Sequence, residues 1–145
     1  MQKVKDILRH KGVHIESVEP TTRVIDALRI MAGKNFGSIV VMEEGKFLGI
    51  MTERDYSRKV ILVGKNSSDT TVEAIMSTDL PRVSPEDTIE HCMGLMNRLR
   101  IRYLPVYEGE NIAGIISMTD VVSATIVQQK ETISHLQHYI SGSQG

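Results

Sequence analysis

The sequence predicts an α+β fold of two tandem βαββα units, packed together as one pseudo-twofold body. Three observations predict it. Val18 to Asp55 aligns with Val83 to Asp120 at a constant offset of 65 residues without a gap. Within each copy, apolar residues at helical spacing are followed by two short β-rich runs around a turn. The chain has 145 residues, 41% apolar and 24% charged, which is the size and composition of one compact body with a core of its own.

Eight of the 38 aligned pairs are identical: Val18/Val83, Pro20/Pro85, Met31/Met96, Val41/Val106, Glu43/Glu108, Gly49/Gly114, Ile50/Ile115 and Asp55/Asp120. Ordinary residue frequencies would give about two. Many other pairs exchange one apolar residue for another, as in Val24/Ile89, Leu28/Met93, Phe36/Ile101 and Ile39/Leu104. Burial repeats even where identity does not.

Taken in order, a short amphipathic lead-in, Val4, Ile7 and Leu8, recurs as Val72, Ile75 and Met76. An extended segment follows, around Ile15 to Val18 and again around Arg82 to Ser84. Thr22 then caps a helix whose Val24, Ala27, Leu28 and Met31 fall at i, i+3, i+4 and i+7. In the second copy Asp87 or Thr88 plays the cap, ahead of Ile89, Cys92, Met93 and Met96. The runs Ser38–Met42 and Phe47–Thr52 flank a hairpin turn in EEGK, and Tyr103–Tyr107 and Ile112–Ser117 flank another in EGEN.

Helical pattern returns near Glu53 and near Met118. These elements divide the chain into a first repeat with its lead-in at 1–63, a polar linker at 64–71, a second repeat at 72–125 and a helical extension with a tail at 126–145. In the extension Val122, Ile126, Ile133, Leu136 and Ile140 form a broken apolar stripe that ends before Ser141-Gly142. Such a stripe needs a partner surface, supplied either by the chain's own body or by a second copy.

The most informative recurrence is Gly49-Ile50-Met51-Thr52-Glu53-Arg54-Asp55 against Gly114-Ile115-Ile116-Ser117-Met118-Thr119-Asp120. Both read Gly, two apolar residues, a hydroxyl, two variable residues and Asp. A strand that ends in a hydroxyl at a helix start offers free N–H groups and a favourable dipole to a phosphate oxygen. One turn on, a carboxylate can accept from both hydroxyls of a ribose. The same residues also make a capping box that satisfies two backbone donors and binds nothing. Both readings stand at this point.

These residues, the 65-residue repeat and the Val-x-x-Ile-Leu/Met lead-ins resemble the CBS domain pair, or Bateman module, named after cystathionine β-synthase. The resemblance runs from Val4 to about Ser123. It implies a pseudo-twofold sandwich with two clefts between the repeats, taking adenosine-containing ligands such as AMP, ADP, ATP, NAD(H) or S-adenosylmethionine. By that mapping Asp55 and Asp120 hold ribose hydroxyls, and Thr52 and Ser117 contact ribose or phosphate. Gly37-Ser38, Arg102-Tyr103, Thr22 and Asp87 map to further pocket positions. Arg54 stands where the second motif has Thr119, so charge-assisted phosphate binding favours the first motif.

The implied role is regulatory: a nucleotide that prefers one arrangement shifts the population and alters a surface read by a partner protein in signal transduction. The alternative is a constitutive dimerisation or scaffolding module with vestigial pockets. A homodimer is expected in either case.

Other classes are disfavoured. Seventeen basic against 18 acidic residues leave a net charge of -1, with no field to gather nucleic acid. No apolar run reaches membrane-spanning length, and the charged opening lacks the core of a secretory signal, which points to the cytoplasm. The lone Cys92 fits a small buried thiol in a reducing compartment. His91 and Cys92 are adjacent on a helix and point apart, so they make no catalytic pair. His135 and His138 lack a third metal ligand. No nucleophile, base and orienter set is present, and an enzyme is not expected.

Overall fold

A computed structural model describes residues 2–12 and 15–143. Contacts divide the chain into two units, His14–Leu80 and Met1–Val13 together with Pro81–Gly145. Each contains one repeat.

The unit around the first repeat has a three-stranded sheet of β1 (Ser17–Val18), β2 (Ser38–Glu43) and β3 (Lys46–Thr52). β1 runs parallel to β2 with Val18 beside Val41, and β2 and β3 form an antiparallel hairpin. Its two central turn residues, Glu44 (φ 51°) and Gly45 (φ 78°), are both left-handed, matching the right-handed twist of the strands. Helix α2 (Val24–Lys34) turns Val24, Ala27 and Met31 into the core against Ile39, Val41 and Met51. After β3 comes a four-residue helix, α3 (Glu53–Tyr56), which widens into a π-helical turn (Ser57–Ile61).

The second unit repeats this arrangement. β4 (Tyr103–Glu108) and β5 (Asn111–Ser117) pair antiparallel, and Val83 bridges Val106 in parallel, the counterparts of Val18 and Val41 65 residues earlier. Even the register irregularity recurs, between Val41 and Met42 and again between Val106 and Tyr107. Helix α4 (Ile89–Leu99) buries Ile89, Cys92, Leu95 and Met96. Helix α5 (Met118–Ser143) buries Val121 and Ala124 near its start.

The lead-ins are exchanged. Helix α1 (Val4–Lys11) precedes the first repeat but buries Val4 and Ile7 in the core of the second. Val72 and Ile75 precede the second repeat and lie in the core of the first. Each fully buried side chain of this size stabilises its core by roughly 1.5–3 kcal/mol, so each lead-in is a working part of the unit it joins.

One expectation is corrected. Thr22 does not cap α2: the N-cap is Arg23, whose guanidinium pairs with Asp26 (2.9 Å). The first N–H groups of α2 donate instead to main-chain carbonyls, Val24 to Thr70 (2.8 Å) and Ile25 to Ser67 (3.0 Å). The polar 64–71 segment therefore supplies the acceptors that a capping side chain would have offered. In the second copy Thr88 is the cap, accepting from the His91 N–H (3.1 Å).

Beyond the stripe, which ends at Ile140, α5 runs through Ser141 and Gly142 to Ser143. A single glycine lowers helix stability by about 1 kcal/mol without forcing a stop.

Candidate functional site

Both Gly-to-Asp motifs lie where a strand turns into a helix. Thr52 ends β3 and is the N-cap of α3. Its hydroxyl accepts from the Asp55 N–H (3.0 Å), and Asp55 Oδ2 accepts from the Thr52 N–H and hydroxyl (both 3.0 Å). The other oxygen, Oδ1, accepts from the Ser77 hydroxyl (2.9 Å) and from the Lys59 ammonium (3.0 Å). Lys59 also donates to the Ile75 carbonyl (2.9 Å). Asp55 is 6% exposed, and all four acceptor positions of its carboxylate are occupied.

At the second motif, Asp120 Oδ2 accepts from the Ser117 N–H (2.8 Å), and the Ser117 hydroxyl accepts from the Asp120 N–H (3.1 Å). The cap is the same. The lysine comes from elsewhere: Lys11, in the last turn of α1, places its ammonium on Asp120 Oδ2 (2.8 Å) and on the Ile115 carbonyl (2.9 Å). Among the described residues Oδ1 of Asp120 accepts no hydrogen bond. The Asp120 side chain is 20% exposed.

The capping box is thus realised at both helix starts. A carboxylate used that way keeps a ligand function only through acceptors left over. Asp120 has such acceptors and Asp55 does not.

The predicted neighbours assemble alike in the two copies. Ser38 is the register partner of Thr52, and the Gly37 carbonyl accepts from the Glu53 N–H (3.1 Å). Tyr103 is the register partner of Ser117, and the Arg102 carbonyl accepts from the Met118 N–H (2.8 Å). Arg54, Thr119 and Arg102 are exposed. Thr22 joins neither group through its backbone, which bonds to Glu19 and Val72. Asp87 instead accepts from the Ser84 N–H (2.8 Å).

Residues outside the motifs complete the picture. Lys59, four residues after Asp55 on the same helical stretch, was legible as a spacing. Ser77 and Lys11 carried no local signal, since each arrives with an exchanged lead-in. The motif glycines make room for those lead-ins. A Cβ on Gly49 would lie 2.6 Å from the Ser77 carbonyl oxygen, and one on Gly114 would lie 2.7 Å from Leu8 Cδ2.

In front of Asp120, α1 and α5 bound an open groove of about 540 Å³. Ile7, Ala124 and Val127 give it apolar lining, while the end of α1 brings His10 and the cations Arg9 and Lys11, with Asp6 beside Arg9 (3.8 Å). That volume falls in the range of small-molecule sites.

Cys92 is fully buried, and desolvation, with the Asp87 charge adding to it, pushes its thiol up to about 11. Such a thiol is a poor nucleophile at neutral pH. Among the described residues no group of His, Cys, Asp and Glu could hold a metal ion, and no helix is long and apolar enough to cross a membrane.

Comparison with known proteins agrees with the repeat. The CBS domain family model matches residues 4–61 and 72–126. The chain is 34% identical to the mitochondrial CBS domain-containing protein CBSX3 of Arabidopsis thaliana, over 96% of this chain and 72% of that protein. It is 31% identical to the CBS domain-containing protein YhcV of Bacillus subtilis, over 83% and 84%. A solved CBS-domain containing protein from Agrobacterium tumefaciens superposes with a TM-score of 0.81 at 34% identity, over 86% of this chain and 99% of that one. With the motif built twice on the same strand-to-helix frame, the chain belongs to the CBS domain family, as a CBS domain pair of the regulatory-module type.

Proposed function

We propose that the protein is a non-catalytic sensor that binds an adenosine-containing nucleotide, AMP, ADP, ATP or NAD(H), and signals its presence to a protein partner. The observation that carries this reading is Asp120, which has an unused Oδ1 and lines a groove together with Arg9, His10 and Lys11. Ribose hydroxyls donate to Asp120, and the phosphate is met by cations. Ser117, Thr119, Arg102 and Tyr103 adjoin this position. Thr52, Arg54, Asp55, Gly37 and Ser38 are the corresponding set in the first repeat, where Asp55 would first have to release an internal donor; Thr22 is the outlying member. Regulation then follows from linkage: a ligand that prefers one state of the protein shifts its population by the difference in affinity.

The test is a thermal melt with each nucleotide and with S-adenosylmethionine. A site-specific ligand at a hundredfold excess over its Kd stabilises the native state by about 2.7 kcal/mol, and Asp120→Ala should abolish the shift. Failure of every ligand to stabilise the folded protein would sink the reading.

One observation favours the alternative of a constitutive dimerisation module. Both capping boxes are complete without a ligand, and α5 leaves Val122, Ile126, Ile133, Leu136 and Ile140 about half exposed along one stripe. We assign that stripe to a homodimer contact in either case. Light scattering on the full chain and on the Ile133→Glu, Leu136→Glu double variant checks it: the variant should run as a monomer. The lone buried Cys92 suits a reducing compartment such as the cytoplasm.

A further inference from the structure

We infer that Lys11 is an exchangeable counter-ion that makes the Asp120 groove selective for phosphorylated ligands: the incoming phosphate takes the Lys11 ammonium from Asp120, and this frees the carboxylate for the ribose. The inference rests on the nucleotide reading above and deepens it.

The two vicinal hydroxyls of a ribose pair best with a carboxylate as a fork, one hydroxyl to each oxygen. Asp120 Oδ1 is open, but both positions of Oδ2 are taken, one by the Ser117 N–H of the cap and one by Lys11. The cap bond is local and holds the helix start together. Lys11 is the donor that can leave, because its root is the last turn of a separate helix, α1, rather than the motif's own helix, and a flexible four-carbon stem carries its ammonium. Leaving without a new anion would strand the ammonium. A phosphate in the groove supplies that anion, with Arg9 and His10 of the same turn lining the same space. The negative end of the α1 dipole favours the Arg9 and Lys11 cations at this end of the helix when the groove is empty.

The first repeat shows what a non-exchangeable pair looks like. Lys59 is anchored four residues from Asp55 on the same helical stretch, and Ser77 also holds the oxygen it touches. Removing Lys59 from Asp55 would leave that carboxylate buried with three remaining donors and no open acceptor beyond the one vacated. Lys11 and Lys59 make matching bonds, each to one carboxylate and one main-chain carbonyl, and Lys11 borders the groove in front of its carboxylate.

Calorimetric titration with AMP and with adenosine tests the exchange on the full chain, with Lys11→Met and Lys11→Arg alongside. The wild type should prefer AMP over adenosine by roughly tenfold or more, the scale of one charge-assisted contact. Lys11→Met should weaken AMP by about that factor, leave adenosine equal or tighter, and so collapse the preference; Lys11→Arg should restore most of it. AMP binding with an undiminished preference in Lys11→Met overturns the exchange and leaves nucleotide binding standing. Equal losses for both ligands would make Lys11 merely structural and also overturn it. If neither ligand binds the wild type, while other adenosine nucleotides also fail, the exchange and the parent reading fall together. A melting point for each variant separates these outcomes from misfolding.

Discussion

The helix start at Thr52 and the one at Ser117 share one residue pattern and one cap, yet they hold their carboxylates differently. Asp55 is sealed by Ser77 and Lys59, whereas Asp120 keeps one oxygen open beside a groove and shares its other with a lysine from α1. The pattern fixes the geometry of a helix start, and the donors brought by the exchanged lead-in decide whether the carboxylate is structural or available. A repeated motif is therefore two different sites when its surroundings are not repeated.

The largest effect should come from the sealed carboxylate. Asp55→Ala removes the acceptor for the Thr52 N–H and hydroxyl, for Ser77 and for Lys59 at a position almost closed to water. The loss should be about 2–3 kcal/mol, combining a lost cap with the buried Thr52 and Ser77 donors left without their acceptor; the ion pair adds little, because the Lys59 side chain is 45% exposed. Asp120→Ala loses a cap and a half-exposed ion pair, on the order of 1 kcal/mol. Urea denaturation of both variants reads the difference. Equal losses would show that the seal around Asp55 contributes nothing beyond the cap.

A smaller contrast separates the two glycines. Gly49→Ala drives a methyl against the Ser77 carbonyl, whose residue exchanges both main-chain hydrogen bonds with Ile50 (3.0 and 2.8 Å). Backbone cannot swing aside, and the cost should be about 2 kcal/mol. Gly114→Ala meets only the end of the Leu8 side chain, which can change rotamer, so the cost should stay below about 1 kcal/mol. Thermal melts of the pair check this, and a Gly114 variant as unstable as the Gly49 one would mean that α1 is held more rigidly than Leu8 suggests.

What could be read from the sequence follows the range of the interactions. The repeat, the two hairpins and the two hydroxyl-to-Asp helix starts all rest on spacing within one copy, and spacing is visible in a sequence. Thr88 was legible as a cap because its partner is three residues away. Arg23 at the head of α2 was not, because the acceptors there come from Ser67 and Thr70, beyond the hairpin and α3. Lys11 on Asp120 spans 109 residues, and no local pattern announces it. The candidate site was thus legible as a motif, while its open or sealed state depended on non-local donors.

The smallest predicted effect isolates one atom of that comparison. Cys92 and Ala27 occupy the same place in the two repeats, and both are fully buried. Cys92→Ala, which writes the first repeat's residue into the second, should cost about 1 kcal/mol near neutral pH, less than the 2–5 kcal/mol of a larger core truncation. The pH dependence is the sharper reading. Desolvation holds the folded thiol near 11, above its ordinary value of 9.0. Below about pH 9 both folded and unfolded chains keep the proton, and the thiol's contribution is intact. As pH rises from 9 towards 11 the unfolded chain releases its proton and the folded one does not, so wild-type stability falls by about 1 kcal/mol by pH 10. Cys92→Ala lacks this loss, and the gap between the two proteins should close as the solution becomes alkaline. Unfolding curves at pH 7.5, 9 and 10 measure it; a gap that stays constant would mean that water reaches the thiol and that the core of the second repeat is less closed than that around Ala27.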